Sequence, residues 1–227
     1  MPPRTALIAG ATGLVGSLCL KQLLADPAYD QVIAISRRPV PESHPKLSQK
    51  IGDFDKLGQL TSIAADDAVC ALGTTIRKAG SQDAFRKIDL GYSKAFADLA
   101  LAGGAQQFAL VSSAGANHRS SNFYLRTKGE IEDAVKALPF TSVHIFQPGF
   151  LMGSRSEQRP SEGIGLALAK ALQFAFIGGL RKYRPILAST VAAAMVAAVK
   201  RSEPGRHTYL FDDMQALAKQ LTSPNPQ

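Results

Sequence analysis

The sequence predicts an α/β fold, one doubly wound parallel sheet with a small C-terminal lobe, from three observations. Short, continuous apolar runs at 6–9, 32–35, 69–72, 108–111 and 143–146 read as strands covered on both faces. Helix-length stretches at 14–25, 83–102 and 121–138 lie between them, long enough for the crossovers that parallel pairing requires. A length of 227 residues with 45% hydrophobic content suits a single domain with a sizeable core, and excludes disorder, a collagen-like repeat or a charged coiled coil.

The first strand runs into Gly10-Ala11-Thr12-Gly13-Leu14-Val15-Gly16, a G-x-x-G-x-x-G turn that opens the helix at 14–25. In dinucleotide-binding sheets the first glycine makes the tight turn, the next lets backbone N–H groups approach a pyrophosphate, and the third lets helix and sheet close. The helix N-terminus adds partial positive charge. Glycines also serve merely as turns; strand before, helix after and first place in the chain favour the binding reading. Gly10, Thr12, Gly13, Leu14, Val15 and Gly16 are therefore cofactor-binding candidates on a Rossmann-type fold.

The second strand leads to Ser36-Arg37-Arg38, where an NAD enzyme usually places an acid on the ribose hydroxyls. Two guanidinium groups would instead fork onto a 2′-phosphate, which favours NADP(H) over NAD(H). The bland alternative is a solvated pair ahead of the stiff loop marked by Pro39, Pro41 and Pro45. Asp53 and Phe54, after a third strand, stand where an adenine is often bracketed, and Asp53 reads equally well as a helix N-cap.

Gly103 and Gly104 end the long helix, and the next strand carries Ser112-Ser113-Ala114-Gly115 at its end. Tyr124-x-x-x-Lys128 follows in the helix at 121–138, which Pro139 stops. That spacing puts phenol and ammonium on one helix face. A phenol with pKa near ~10 is a poor acid or base at neutral pH, and a neighbouring cation favours the phenolate. With 5 tyrosines in the chain, about 0.3 such pairs arise at random, so the place after the serine-bearing strand gives the spacing its weight.

Together with Leu72-Gly73-Thr74-Thr75, Ser120-Ser121-Asn122-Phe123, Lys128-Gly129-Glu130 and Pro148-Gly149, these motifs resemble the atypical short-chain dehydrogenase/reductases. The resemblance is greatest to the Tat-interacting-protein-like oxidoreductase branch and covers roughly residues 5–162. It implies a Rossmann fold binding NADP(H) and a Ser, Tyr and Lys site. Tyr124 would exchange the substrate proton, Lys128 would hold the nicotinamide ribose and tune Tyr124, and Ser113, less readily Ser112, would hydrogen-bond the carbonyl. By the same resemblance Leu72, Gly73 and Thr74 would pass over the cofactor, Pro148, Gly149, Phe150 and Leu151 would border the nicotinamide, and Arg159 would reach the cofactor or a bound acid. Two residues depart from the pattern: Gln147 replaces an Arg before the Pro-Gly pair, and Asp89 stands where related extended enzymes carry Asn.

These motifs predict an oxidoreductase acting on a small carbonyl or alcohol; the alternative is a binding module that senses NADP(H) without turnover. The net charge of +8 is scattered in twos and threes and Trp is absent, which favours a small anionic ligand over nucleic acid. No run reaches the ~18 apolar residues of a membrane span, and the glycines at 10, 13 and 16 argue against a cleaved leader. Cys19 and Cys70 read as buried thiols, and His44, His118, His144 and His207 lack ligand spacing, so no metal is expected. A cytosolic monomer or homodimer is the expectation. Residues 1–150 read as the cofactor-binding core and 151–227 as a dependent, substrate-facing lobe, with an apolar stretch at 164–177, an Ala-rich helix at 189–200 and a frayed tail at 222–227.

Overall fold

The computed structural model of the protein describes residues 3–59, 62–153 and 176–222. Its strands are β1 (Arg4–Ala9), β2 (Tyr29–Ser36), β3 (Leu47–Ile51), β4 (Asp67–Cys70), β5 (Gln107–Val111), β6 (Ser142–Phe146), β7 (Leu151–Met152), β8 (Ile186–Leu187) and β9 (Gly205–Tyr209). Seven of them form one sheet in the order β3-β2-β1-β4-β5-β6-β9, parallel throughout, and β7 pairs with β8 in a separate ribbon. The strand order reverses at β1, which opens a crevice between the loops after β1 and β4 where doubly wound sheets take ligands.

Side chains alternate between two cores. Ile8, Val32, Ala34, Val69 and Phe146 face α1 (Leu14–Ala25), α6 (Ala188–Arg201) and α7 (Phe211–Thr222). Leu7, Ile33, Ile35, Phe108 and Val143 face α4 (Ser93–Ala102) and α5 (Phe123–Lys136). Burial on both faces explains why the central strands read as unbroken apolar runs. β3 and β9 are half-exposed edges, so a search for such runs passes over them as elements in their own right.

β4 begins two residues before its apolar run. Asp67 opens it fully buried, with the Arg4 guanidinium on Oδ1 and the Tyr29 hydroxyl donating to Oδ2 at 2.6 Å. Arg4 also donates to the carbonyls of Val199 and Lys200, at 3.3 and 3.4 Å, so this polar knot ties the amino ends of β1 and β4 to the end of α6.

The helix expected over 83–102 is interrupted. Two short helices, α2 (Ile76–Ala79) and α3 (Gln82–Arg86), precede a π-helical turn, Lys87–Tyr92, and α4 starts only after it. The region from 151 onward also divides. The β7–β8 ribbon and a 3-10 turn, Gly178–Tyr183, lie at its periphery, whereas β9 extends the main sheet and α6 is buried along 191–199. Alanines at 192, 193, 194, 197 and 198 let α6 approach its neighbours closely. Most of the 164–177 stretch, and the tail beyond residue 222, lie outside the described residues.

His144 is buried in β6 with Nδ1 3.0 Å from the Tyr209 hydroxyl, a core histidine as expected. Cys19 and Cys70 are buried free thiols, pushed up by burial to about 12 and about 11. Among the described residues no helix is long and apolar enough to cross a membrane.

Candidate active site

Parallel strands share a carboxyl rim, and the nominated residues within the described part of the chain gather along it: the 10–16 turn after β1, Arg37 and Arg38 after β2, Asp53 after β3, 72–74 after β4, Ser112 and Ser113 after β5, and Pro148 after β6. Gly10 has φ +86°, and a Cβ there would meet the Ala71 carbonyl oxygen at 2.4 Å; one on Gly16 would meet the Gly10 oxygen at 2.0 Å. The turn is thus held as tightly as its glycines imply. Gly13 caps α1 without a side-chain acceptor, and the first turn carries no acid, so side chains leave the leading N–H groups unsatisfied. Thr12 is exposed beside them, Leu14 is half-buried, and Val15 and Gly16 are buried with only backbone to offer an anion.

The register Ala9↔Ile35 sets Arg37 and Arg38 alongside this turn. Both are exposed, and neither guanidinium has a partner among the described residues. The Ser36 hydroxyl donates to the Arg38 carbonyl at 2.7 Å and fixes the bend. Asp53 Oδ1 accepts from the Asp55 N–H at 3.0 Å, which is the turn-capping role the sequence left open. Phe54 is buried, its ring centroid 5.5 Å from that of Tyr92, so its face serves the core.

The segment 72–74 crosses a buried ion pair. Lys128 Nζ lies 2.6 Å from Asp89 Oδ1, while Asp89 Oδ2 accepts from the Thr74 N–H at 3.0 Å. Burial pulls the Lys128 ammonium down, but the adjacent Asp89 carboxylate opposes it and Lys128 is held above its ordinary value. Asp89, a departure from the related pattern, is therefore the direct partner of the nominated lysine.

Asn122 starts α5, its side chain accepting from the Leu125 N–H at 3.1 Å. Tyr124, Lys128 and Glu132 then fall on one face at four-residue spacing. The Tyr124 ring packs 5.4 Å from Phe85, centroid to centroid, and its hydroxyl has no hydrogen-bond partner among the described residues.

Glu132 distinguishes the two serines. Its buried carboxylate accepts from the Ser112 hydroxyl at 2.5 Å and from Gln147 Nε2 at 2.8 and 3.0 Å. Lys136 Nζ lies 3.4 Å from Oε2 of the same carboxylate, so Gln147 adds two neutral hydrogen bonds beside that ion pair, and Ser112 is fully engaged. Ser113 is half-buried with its hydroxyl unpartnered. The sequence stripe through Tyr124 and Lys128 could have revealed Glu132.

Pro148 is buried, its carbonyl accepting from the Ala114 N–H at 2.9 Å, while Phe150 and Leu151 are exposed. A Cβ on Gly149 would lie 2.7 Å from the Tyr183 carbonyl, and one on Gly115 would lie 3.0 Å from the Tyr183 hydroxyl. These two gaps seat Tyr183 against Gly115 and Gly149, a neighbour no local sequence signal announces. Arg159 lies outside the described residues.

A profile of the NAD(P)H-binding family matches residues 10–162. The chain belongs to this family. Among relatives, it is 39% identical to the protein HTATIP2 of Rattus norvegicus over 71% of this chain and 69% of that one. It is 35% identical to the mitochondrial protein FMP52 of Candida albicans, over 85% and 86%. Solved structures share the fold: human epimerase family protein SDR39U1 with NADPH has a TM-score of 0.65 at 16% identity, covering 91% of this chain and 74% of that one. The Bordetella bronchiseptica enzyme WbmH with NAD+ has a TM-score of 0.68 at 16% identity, over 92% and 75%.

Family membership bears out the resemblance read from the motifs and makes the chain an NAD(P)-binding, oxidoreductase-like protein. The cytosolic expectation does not stand, because several fungal relatives are named mitochondrial. Unpaired buried cysteines speak against disulfide formation and do not choose among reducing compartments.

Proposed function

We propose that this chain is an NADP(H)-dependent oxidoreductase that moves a hydride between the cofactor and a small carbonyl or alcohol substrate. The observation that carries the reading is that Tyr124 and buried Lys128 share one face of α5, with the backbone of Gly73 over the Lys128 ammonium. The site fits a dinucleotide. The turn at 10–16 is a cradle that a Cβ would fill, α1 offers N–H groups no side chain caps, and Arg37 and Arg38 extend unpaired cations where a 2′-phosphate would lie.

When bound, the nicotinamide supplies or accepts the hydride. Ser113 donates a hydrogen bond to the carbonyl oxygen and orients it, and Tyr124 gives its hydroxyl proton to that oxygen as the alcohol forms. The Lys128 ammonium stabilises the phenolate that results. In the oxidising direction Tyr124 takes the proton back.

Titration with NADPH and NADH, followed by cofactor fluorescence, tests the cofactor half of the proposal. The chain has no Trp to compete with that signal. Replacing Arg37 and Arg38 by Ala should weaken NADPH on the order of tenfold to a hundredfold and NADH little, in line with loss of charge-assisted bonds. Equal losses for both would refute the phosphate reading. Tyr124→Phe tests the chemistry: turnover in a carbonyl screen should fall about a hundredfold or more with NADPH affinity kept, and an unchanged rate removes Tyr124 from the mechanism.

A further inference from the structure

Asp89 and Lys128 form an opposed charge pair nearly shut off from solvent, the side chains 0% and 6% exposed. The backbone of Gly73 lies over the pair. A Cβ on Gly73, itself exposed, would lie 3.6 Å from Asp89 Oδ1 and 3.7 Å from Lys128 Nζ. The Thr74 N–H of the same segment donates to the other carboxylate oxygen, Oδ2, at 3.0 Å, and the π-helical turn Lys87–Tyr92 carries Asp89 to this position. The other ionisable groups that bear on Lys128 are Tyr124 and Cys70, and burial lifts the Cys70 thiol to about 11, which keeps it neutral at physiological pH. The fixed charges beneath 72–74 are therefore one positive and one negative.

We propose that Asp89 sets the balance of this site between oxidised and reduced cofactor by offsetting the charge of Lys128. The inference rests on the reading that the nicotinamide end lies beside Tyr124 and Lys128. The oxidised nicotinamide ring is a cation and the reduced ring is neutral; phosphates, adenine and riboses are the same in both. A lone buried ammonium would repel the oxidised form and leave the reduced form alone. The adjacent carboxylate cancels most of that repulsion, so the site tolerates NADP+ and NADPH alike and can work in either direction. At separations of ~10 Å and an effective dielectric of ~20, removing one unit charge alters such a preference on the order of tenfold. Asp89 acts on the ring through charge and is a positioning residue for Lys128.

The test is equilibrium binding of the full chain, without turnover. NADPH is titrated by its fluorescence and NADP+ by competition against it, for the natural chain, Asp89→Asn, Lys128→Met and the double variant. The proposal expects Asp89→Asn to raise the ratio of NADP+ Kd to NADPH Kd about tenfold, Lys128→Met to lower it comparably, and the double variant to return close to the starting ratio. Structural damage alone would weaken both forms together and leave the ratio fixed, and that result overturns the proposal. If Asp89→Asn does not fold, Lys128→Met and the double variant decide alone: a ratio unchanged in Lys128→Met, or equal in the two, overturns it. A natural chain that binds neither form overturns the oxidoreductase reading and this inference together. One that binds both, with the ratio indifferent to Asp89, overturns this inference only.

Discussion

Ser112 and Ser113 are adjacent in sequence and differ in every physical respect that bears on catalysis. Ser112 donates to a buried carboxylate that also takes two bonds from Gln147, so Ser112→Ala removes one support from a charge in the core. The expected cost is about 1–3 kcal/mol in denaturant unfolding, because Glu132, its side chain 5% exposed, loses a hydrogen bond. Ser113→Ala removes a hydroxyl with no described partner. It should leave stability within about 0.5 kcal/mol and lower turnover at least tenfold; the reverse pattern would exchange the two assignments. Identity alone nominated Ser113, Tyr124 and Lys128, since motif order carries that information. It could not show that Asp89 and Lys128 meet, because the 38 residues between them close only in three dimensions. Tyr183 was invisible for the same reason.

Elements were legible where one physical signal dominates and obscure where two compete. α1 and the strands of the central sheet follow from apolar pattern and punctuation. β4 starts early because Asp67 is neutralised by groups on β1 and β2, which a run of hydrophobic residues cannot anticipate. The stretch 83–102 looks uniformly helical, yet it contains the π-helical turn that brings Asp89 under Gly73. A π turn holds one residue more than the α repeat allows. Ser93, Phe96, Ala97 and Ala100 resume an α-helical packing face after it, so the fold absorbs the extra residue without losing its core contact. β9 alternates half-buried and exposed residues and continues the sheet beyond β6, which the loop-rich composition of that region conceals.

Across the molecule, two buried groups away from the proposed chemistry, Asp67 at the start of β4 and His144 within β6, couple stability to pH. At the amino rim, burial pushes Asp67 up to about 6 against the pull of Tyr29 and Arg4. The folded state then holds a proton more readily than the unfolded chain, so the stability due to Asp67 is present below about pH 4 and declines as pH rises through about 6. His144 acts oppositely. Burial and the charges of His207 and Arg201 push it down to about 4, so its contribution is present above about pH 6.5 and is lost as pH falls toward 4. Each shift corresponds to about 3 kcal/mol, and between pH 4 and 6 the two slopes largely cancel. Urea unfolding across this range should give a nearly flat profile for these groups. Asp67→Asn should then lose stability on acidification more steeply than the natural chain, and His144→Gln should lose it less steeply; parallel profiles for all three would refute the account.

α6 covers the same face of the sheet as α1, with 191–199 buried against residues from the first third of the chain. On a ribosome, β1, α1 and β2 emerge well before the helix that shields them, and β4, β5 and β6 can add to the sheet while that face still lies open. The nascent chain thus carries a broad apolar surface until about 200 residues have been made. Its completed fold depends on a segment synthesised after the proposed Ser, Tyr and Lys site has already been laid down.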